Sequence, residues 1–509
     1  MIILHRHSIL QNTILLTAAN LCLRTVSLLF QSWLAGAIGA EGLGKMQLVM
    51  TVGGFAFTLG TSGVRVAAMN LTARLRGLND DAGMKKAIRT CMLLGLILST
   101  AAGGLLLAAA PHLASAFIGD EAVIPALCLL AVSLPVNCLT AVLSGCFTAR
   151  GKVRQLVSVD VGERLLSIGI TVVLLRYWAG NDTARILCSV IGGSSLATVV
   201  SLLLLTALQW PALRHIPDTD RSMARPLLQL CVPLALSDYL RSGLSTLEQF
   251  LIPRGLSLSG SRSAMADYGT ISGMVFPVLM FPAALFYSLS DLLVPELSRC
   301  RARGNTLRIR SLTARCLRIG LVFSAMVAGL MYALAPALGQ LIYKSADAGR
   351  YLRIFAPMIF MLYSDALTDG MLKGLGEQVA SVRYNTLSAA ADVVLLYLLL
   401  PRFGVGGFVF TFAVTHGVNF FLSIRRLMTV TGFRPDLRHA LRTAAVSVLA
   451  VTLTLSLAPP LSALPSALSA GGVFLGLYFL LCYFARVFHP RELVTFQQHR
   501  RIQPCEAAL

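Results

Sequence analysis

Residues 12–38, NTILLTAANLCLRTVSLLFQSWLAGAI, form an apolar run that is interrupted by a single charge, Arg24. A helix that crosses a bilayer needs about 20 consecutive apolar residues, so this run predicts one membrane span. The apolar core of a secretory signal peptide is shorter, and we therefore expect this helix to be retained. The stretch predicts a chain built from membrane-spanning helices.

The composition of the whole chain agrees with this first span. Of its 509 residues, 56% are apolar and 13% are charged, and the mean hydropathy is +0.74. Soluble domains are about 45–50% apolar and about 25% charged, so a soluble multidomain enzyme and a disordered chain are excluded. We expect an all-α polytopic membrane protein of about fourteen transmembrane helices. The predicted spans are 12–38, 46–72, 87–110, 122–149, 156–178, 184–209, 226–253, 265–297, 313–342, 352–374, 381–400, 406–428, 439–458 and 463–487.

The basic residues orient these spans. The net charge is +20, but Lys and Arg lie in short runs between apolar stretches, which argues against nucleic acid as a partner. With the N-terminus inside, cytoplasmic segments carry about 30 basic residues and the opposite side about 9. This predicts a multi-pass protein of the cytoplasmic (inner) membrane with both termini in the cytoplasm.

Spans one and seven share a short sequence pattern. Leu-Arg-Thr around Arg24 corresponds to Leu-Arg-Ser around Arg241, and seven residues later Gln31 corresponds to Glu248. An offset of six spans predicts parallel repeats related by a pseudo-twofold axis along the membrane normal, with a substrate site between them. The expected domains are an N-terminal lobe (1–212, helices 1–6), a C-terminal lobe (213–430, helices 7–12) and helices 13–14 with a cytoplasmic tail (431–509).

Four arginines lie inside predicted spans: Arg24, Arg65, Arg164 and Arg241. Each costs about 2.5–3.5 kcal/mol at mid-bilayer, so such residues usually face a bundle interior or a wet cavity. Guanidinium groups suit phosphate and carboxylate, so Arg24 and Arg241 predict an anionic cargo headgroup. Arg65 fits either this site or a side chain that extends to the interface. For Arg164 the alternative is an ion pair with the neighbouring Glu163 or Asp160.

Several acids also lie in spans seven, eight and ten. Asp238 and Glu248 flank Arg241 and balance its charge in our interpretation, while Asp365 and Asp369 share one helix face. A buried carboxylate can exchange protons, so the second pair either couples transport to a proton or sodium ion or only balances charge. Asp291 and Glu296, which precede a run of basic residues, are expected to anchor a loop. No motif predicts catalysis, a cofactor or a metal site, so we do not expect an enzyme.

Several stretches resemble the stage V sporulation protein B family. They run in the same order along almost the whole chain: Asn20–Val49 with its Gly39–Gly44 turn, Thr61-Ser62-Gly63, Tyr268–Met274, Asp291–Ser298, Leu372–Gly376 and Gly404–Gly407. That family, which includes polysaccharide biosynthesis flippases, belongs to the multidrug/oligosaccharidyl-lipid/polysaccharide exporter superfamily.

The resemblance implies a V-shaped, two-lobed transporter that works by alternating access. It implies a lipid-linked anionic sugar as cargo, such as a polyprenyl-pyrophosphate cell-wall precursor flipped from the inner to the outer leaflet. In related lipid II flippases, basic residues of comparable helices line the cavity, which implies Arg24, Arg65 and Arg241 here. Arg65 has no residue-by-residue match.

The alternative function is a proton- or sodium-coupled multidrug antiporter that uses Asp365, Asp369 or Glu248. The drug-exporting branch of the superfamily tends to carry an acid in its first helix, and this first helix has none. The expected site is therefore Arg24, Arg65, Arg241, Glu248 and Gln31 for cargo, with Asp365, Asp369 and Asp238 as candidates for ion coupling. We expect a monomer whose other partners are membrane lipids.

Overall fold

The protein is all-helical in the part that the structure, a computed structural model, describes: residues 2–78, 80–180, 182–214, 223–457 and 464–487. Within those residues there is no β-strand. The helices are α1 (Ile2–Thr61), α2 (Val64–Gly77), α3 (Asp81–Leu113), α4 (Ile124–Ala149), α5 (Val153–Leu174), α6 (Thr183–Arg214), α7 (Ala224–Leu258), α8 (Ala264–Tyr268), α9 (Phe276–Met280), α10 (Ala283–Ala302), α11 (Thr306–Tyr343), α12 (Ala346–Phe355), α13 (Ile359–Gly374), α14 (Gln378–Phe403), α15 (Val405–Thr431), α16 (Leu437–Leu457) and α17 (Leu464–Phe484).

The predicted spans are helical over most of their described residues, with short turns inside them at residues 62–63 and 281–282. Within the described ranges, nine helical stretches are long and apolar enough to cross a membrane. Large apolar side chains such as Leu93, Ile97 and Leu203 are more than half exposed on their outer faces. Such surfaces need lipid rather than water around them, so the chain is a multi-pass membrane protein. The total of fourteen spans stays a prediction.

Two glycines interrupt the helical backbone, Gly39 between the first two predicted spans and Gly63 inside the second. Gly39 has φ 73° and ψ 177°, and it kinks α1 so that the helix resumes at Ala40 instead of residue 46. Gly63 has φ 75° and separates α2 from α1. Such positive φ values favour glycine, which lacks a Cβ. A Cβ on Gly63 would also collide with the carbonyl oxygen of Cys231, so glycine lets α7 approach this break closely.

The chain divides into two compact units. Unit 1 comprises Met1–Gly273 and Ala389–Thr411, and unit 2 comprises Met274–Ser388 and Phe412–Leu509. In unit 1, a buried cluster joins α2, α3, α4 and the start of α7. In unit 2, α16 and α17 pack on α11, where the hydroxyl of Tyr478 donates to the carbonyl of Val322 at 2.7 Å. The lobe boundaries after residues 212 and 430 stay a prediction.

An ion pair connects the second half of α1 to the turn before α4. Lys45 Nζ lies 2.8 Å from Glu41 Oε1 and 2.8 Å from Asp120 Oδ2. Asp120 lies between two helical stretches, and its other oxygen accepts a hydrogen bond from the backbone N–H of Ala122 at 2.9 Å. The hydrogen bond from Lys45 lowers the pKa of Asp120 below its ordinary value of 3.8.

We predict that Asp120→Asn lowers the thermal unfolding temperature in detergent by about 2 °C at pH 7, because an ion pair of this kind contributes about 1 kcal/mol or less. Asparagine can still accept from Ala122, so the change isolates the charge. A carboxyl whose pKa is lowered by folding stabilises above its ordinary pKa and stops doing so as the pH falls through the lowered value. The difference between wild type and variant should therefore be full at pH 7 and shrink as the pH falls below the ordinary pKa of 3.8.

The control is Glu121→Gln, which removes the neighbouring exposed carboxylate. It should leave the unfolding temperature unchanged at both pH values. An Asp120→Asn effect that persisted undiminished at low pH would contradict the assignment of the stability to this charge.

Candidate functional site

Two predicted cargo residues, Arg24 and Gln31, lie with Ser27 on one face of the first half of α1. Arg24, Ser27 and Gln31 are spaced three and four residues apart, so they share a side of the helix. Arg24 is exposed, while Gln31 is half-buried and its Nε2 donates to the carbonyl oxygen of Gly273 at 2.9 Å. Gln31 therefore fixes α1 against the backbone that follows α8.

Arg164 joins this face from α5. Its Nε and Nη2 donate to the hydroxyl oxygen of Ser27 at 3.2 and 2.9 Å. Glu163 instead accepts a hydrogen bond from Thr198 at 2.9 Å. The hydrogen bonds of Arg164 and Glu163 thus go to Ser27 and Thr198, while Glu163 remains an electrostatic neighbour of Arg164. Arg164 extends towards α1 and contacts Ser27, which lies about one helical turn from Arg24. Adjacent residues of a helix point in different directions, so Glu163 can face α6 while Arg164 faces α1.

Helix α7 carries Arg241, a further predicted cargo residue. Three polar contacts hold this helix against the end of α1. Ser62 Oγ donates to Asp238 Oδ2 at 2.7 Å. The hydroxyl of Tyr239 donates to the carbonyl of Leu59 at 3.0 Å, and Ser242 Oγ donates to Thr58 Oγ1 at 3.3 Å. These contacts bracket Arg241 in sequence, so they set its position relative to α1.

Arg241 is weakly compensated where it lies. Its Nη2 is 3.9 Å from Asp238 Oδ1, beyond hydrogen-bond distance, and its side chain is 70% exposed. Asp238 already accepts a hydrogen bond from Ser62, so its carboxylate compensates Arg241 only in part. The guanidinium of Arg241 therefore has donors available for an anionic ligand.

Arg65 and Glu248 complete the predicted cargo residues, and both belong to unit 1. Arg65 is exposed on α2 and interacts electrostatically with Asp160 of α5. Glu248 is half-buried on α7, and its electrostatic neighbour is Asp392 of α14. The sequence analysis did not select Asp392, although it is the single acidic residue of the apolar run AAADVVLL.

Unit 2 gathers the other two predicted acids into a half-buried polar cluster. Asn419 Nδ2 donates to Asp365 Oδ2 at 2.8 Å and to Asn385 Oδ1 at 3.0 Å. Asp369 accepts from Ser381, and its other oxygen lies 2.6 Å from Lys373 Nζ. The structure thus places Asp365 and Asp369 on one helix with different partners.

The carboxylates of Asp365 and Asp369 differ in how fully their oxygens are compensated by neighbouring groups. Asp369 is compensated by an ammonium group and a hydroxyl. Asp365 Oδ1 and Asn419 Oδ1 are buried, and within the part of the chain that the structure describes neither accepts a hydrogen bond. Two such oxygens suit a proton or a small hard cation. The sequence analysis did not select Asn385 and Asn419. The signal that could have found them is an amide side chain inside an apolar span.

Comparisons with known proteins identify the family. The chain matches the sequence model of the family described as polysaccharide biosynthesis protein over residues 9–301. It is similar to stage V sporulation protein B of Bacillus subtilis (strain 168), with 22% identity over 413 residues that cover 79% of each chain. The resemblance noted in the sequence is confirmed.

Solved structures share the fold. The lipid II flippase MurJ in an inward closed conformation superimposes with a TM-score of 0.68 at 14% identity, over 93% of this chain and 99% of that one. An inward-facing multidrug resistance MATE family transporter of the MOP superfamily gives a TM-score of 0.63 at 17% identity, over 82% and 96%. At these identities the likeness concerns the fold alone. It confirms an all-α polytopic membrane architecture.

Proposed function

The chain belongs to the polysaccharide biosynthesis protein family, and from this premise we propose that it flips a lipid-linked oligosaccharide across the cytoplasmic membrane by alternating access. The cargo class is a polyprenyl-pyrophosphate sugar, such as a cell-wall precursor. The observation that carries the proposal is the set of arginines on unit 1, of which Arg241 is exposed and weakly compensated. The names of a sporulation relative and of a lipid II flippase of the same fold support it.

The headgroup of such a cargo fits these arginines chemically. A pyrophosphate offers several anionic oxygens, and guanidinium groups bind such oxygens through strong charge-assisted hydrogen bonds. Arg24 and Arg241 would bind the pyrophosphate, with Arg65 and the polar Gln31 and Glu248 as further cargo contacts. Arg164, through Ser27, would hold α5 beside Arg24. Charge on the cargo also removes the cost of these cations in a membrane span.

The remaining expectations belong to the same proposal. Both termini lie in the cytoplasm, as the excess of basic residues on that side predicts. The protein acts as a monomer and moves its cargo without changing it, so it is not an enzyme. Its partners are the lipid-linked sugar, the surrounding lipids and a coupling ion.

The coupling ion, a proton or sodium, binds at Asp365 in this proposal. Its unmatched buried oxygen and that of Asn419 support this choice over Asp369, which Lys373 already compensates. Asp238 is a weaker candidate because Ser62 and Arg241 lie against it. A multidrug antiporter would use the same acids, and the shared fold with a MATE transporter keeps that function as the alternative.

We predict that Arg24→Ala/Arg241→Ala slows flipping of a fluorescent polyprenyl-pyrophosphate sugar in proteoliposomes by about 100-fold or more. Each lost hydrogen bond to a charged group costs about 1.5–3 kcal/mol, so two lost contacts suffice. The measurement is the protein-dependent exposure of the label to an external quencher.

The matched control is Arg185→Ala/Arg262→Ala, which removes two exposed arginines that are not among the predicted cargo residues. It should flip the cargo at the wild-type rate. Undiminished flipping by Arg24→Ala/Arg241→Ala would contradict the proposal. Absence of flipping by wild type, together with gradient-driven efflux of cationic dyes, would establish the antiporter instead.

A second prediction separates the two carboxylates of unit 2. Asp365→Asn should remove the dependence of transport on a proton or sodium gradient, because the amide cannot hold a proton or compensate a cation. Asp369→Asn should retain that dependence. The measurement is the initial flipping rate with and without each imposed gradient, and equal behaviour of the two variants would contradict the assignment to Asp365.

A further inference from the structure

Unit 2 contains a large cavity that none of the residues discussed so far uses. Its volume is about 810 Å³, within the range of about 300–1,000 Å³ typical of small-molecule sites. It lies among α11, α13, α15 and the start of α16. The walls are mostly apolar and include Leu317, Leu321, Phe360 and Ile424.

The cavity is elongated along α11. Its lining on that helix runs from Leu307 to Leu321, a rise of about 21 Å at about 1.5 Å per residue. The hydrocarbon core of a bilayer is about 30 Å thick, so one leaflet accounts for about half of that. The cavity is thus long enough for the acyl chains and the glycerol region of one leaflet.

One end of this cavity is cationic. Arg310 near the start of α11 and Arg434 in the segment between α15 and α16 line it, and both are exposed. Among the described lining residues, Asp436 alone is acidic. Its Oδ1 accepts from the backbone N–H of His439 at 3.2 Å, so it caps α16. The charge at this end is therefore predominantly positive. Arg318, about two helical turns further along α11, also lines the cavity, and the remaining lining is mostly apolar.

We propose that this cavity binds one anionic glycerophospholipid of the inner leaflet, with its phosphate at Arg310 and Arg434 and its acyl chains along α11. The basic end lies at segments predicted to be cytoplasmic, which is the level of inner-leaflet headgroups. Basic pockets between transmembrane helices on that side recognise anionic headgroups. Complementary charge at one end and apolar length at the other select a lipid of this class over a zwitterionic one.

The test is a native mass spectrometry titration of the full-length protein with phosphatidylglycerol and with phosphatidylcholine of identical acyl chains. Wild type should bind one phosphatidylglycerol in preference to phosphatidylcholine. Arg310→Gln/Arg434→Gln should weaken phosphatidylglycerol binding by about 30-fold, as expected for two surface basic contacts. The control Arg303→Gln/Arg438→Gln removes the same charge from exposed positions outside the cavity lining and should bind as wild type does.

A second readout does not depend on the arginine variants. A photo-crosslinking phenylalanine analogue at Phe421, which lines the cavity, should capture phosphatidylglycerol from mixed vesicles more than the same analogue at Phe410 of α15. Equal binding of the two lipids, equal loss in both arginine pairs, or equal capture at Phe421 and Phe410 would overturn the proposal. Displacement of phosphatidylglycerol by equimolar polyprenyl pyrophosphate would overturn it too, because the cavity would then serve the cargo.

Discussion

Charge inside a membrane is the constraint on which the rest of this molecule depends. A guanidinium or carboxylate on a spanning helix must find a partner in the protein, reach water or receive an ion from outside. Asp369 follows the first route, since it pairs with Lys373. Arg241 and Asp365 do not find full compensation, and both therefore carry the functional argument.

The backbone places these charges through its interruptions. The break at Gly63 brings the α1–α2 junction against α7, and Ser62 then reaches Asp238 beside Arg241. The bond of Gln31 to the carbonyl of Gly273 fixes the first half of α1 in the same unit.

The spans were predictable from sequence because apolar length is a direct consequence of bilayer thickness, as residues 12–38 show. Contacts between distant helices were not, since they depend on helix rotation and kinks. The sequence predicted Glu163 or Asp160 as a partner of Arg164 but not its hydrogen bonds to Ser27, a residue 137 positions away. Asp392, Asn385 and Asn419 were overlooked because single polar residues in apolar runs have no diagnostic spacing.

The most direct measurement of the central claim is the affinity of the purified protein for three lipids with the same polyprenyl chain: a pyrophosphate, a monophosphate and the neutral alcohol. If arginines of unit 1 bind the headgroup, affinity rises with headgroup charge in wild type, and the differences shrink in Arg241→Gln. Equal affinity of wild type for the pyrophosphate and the alcohol would contradict the claim, because recognition would then rest on the chain alone.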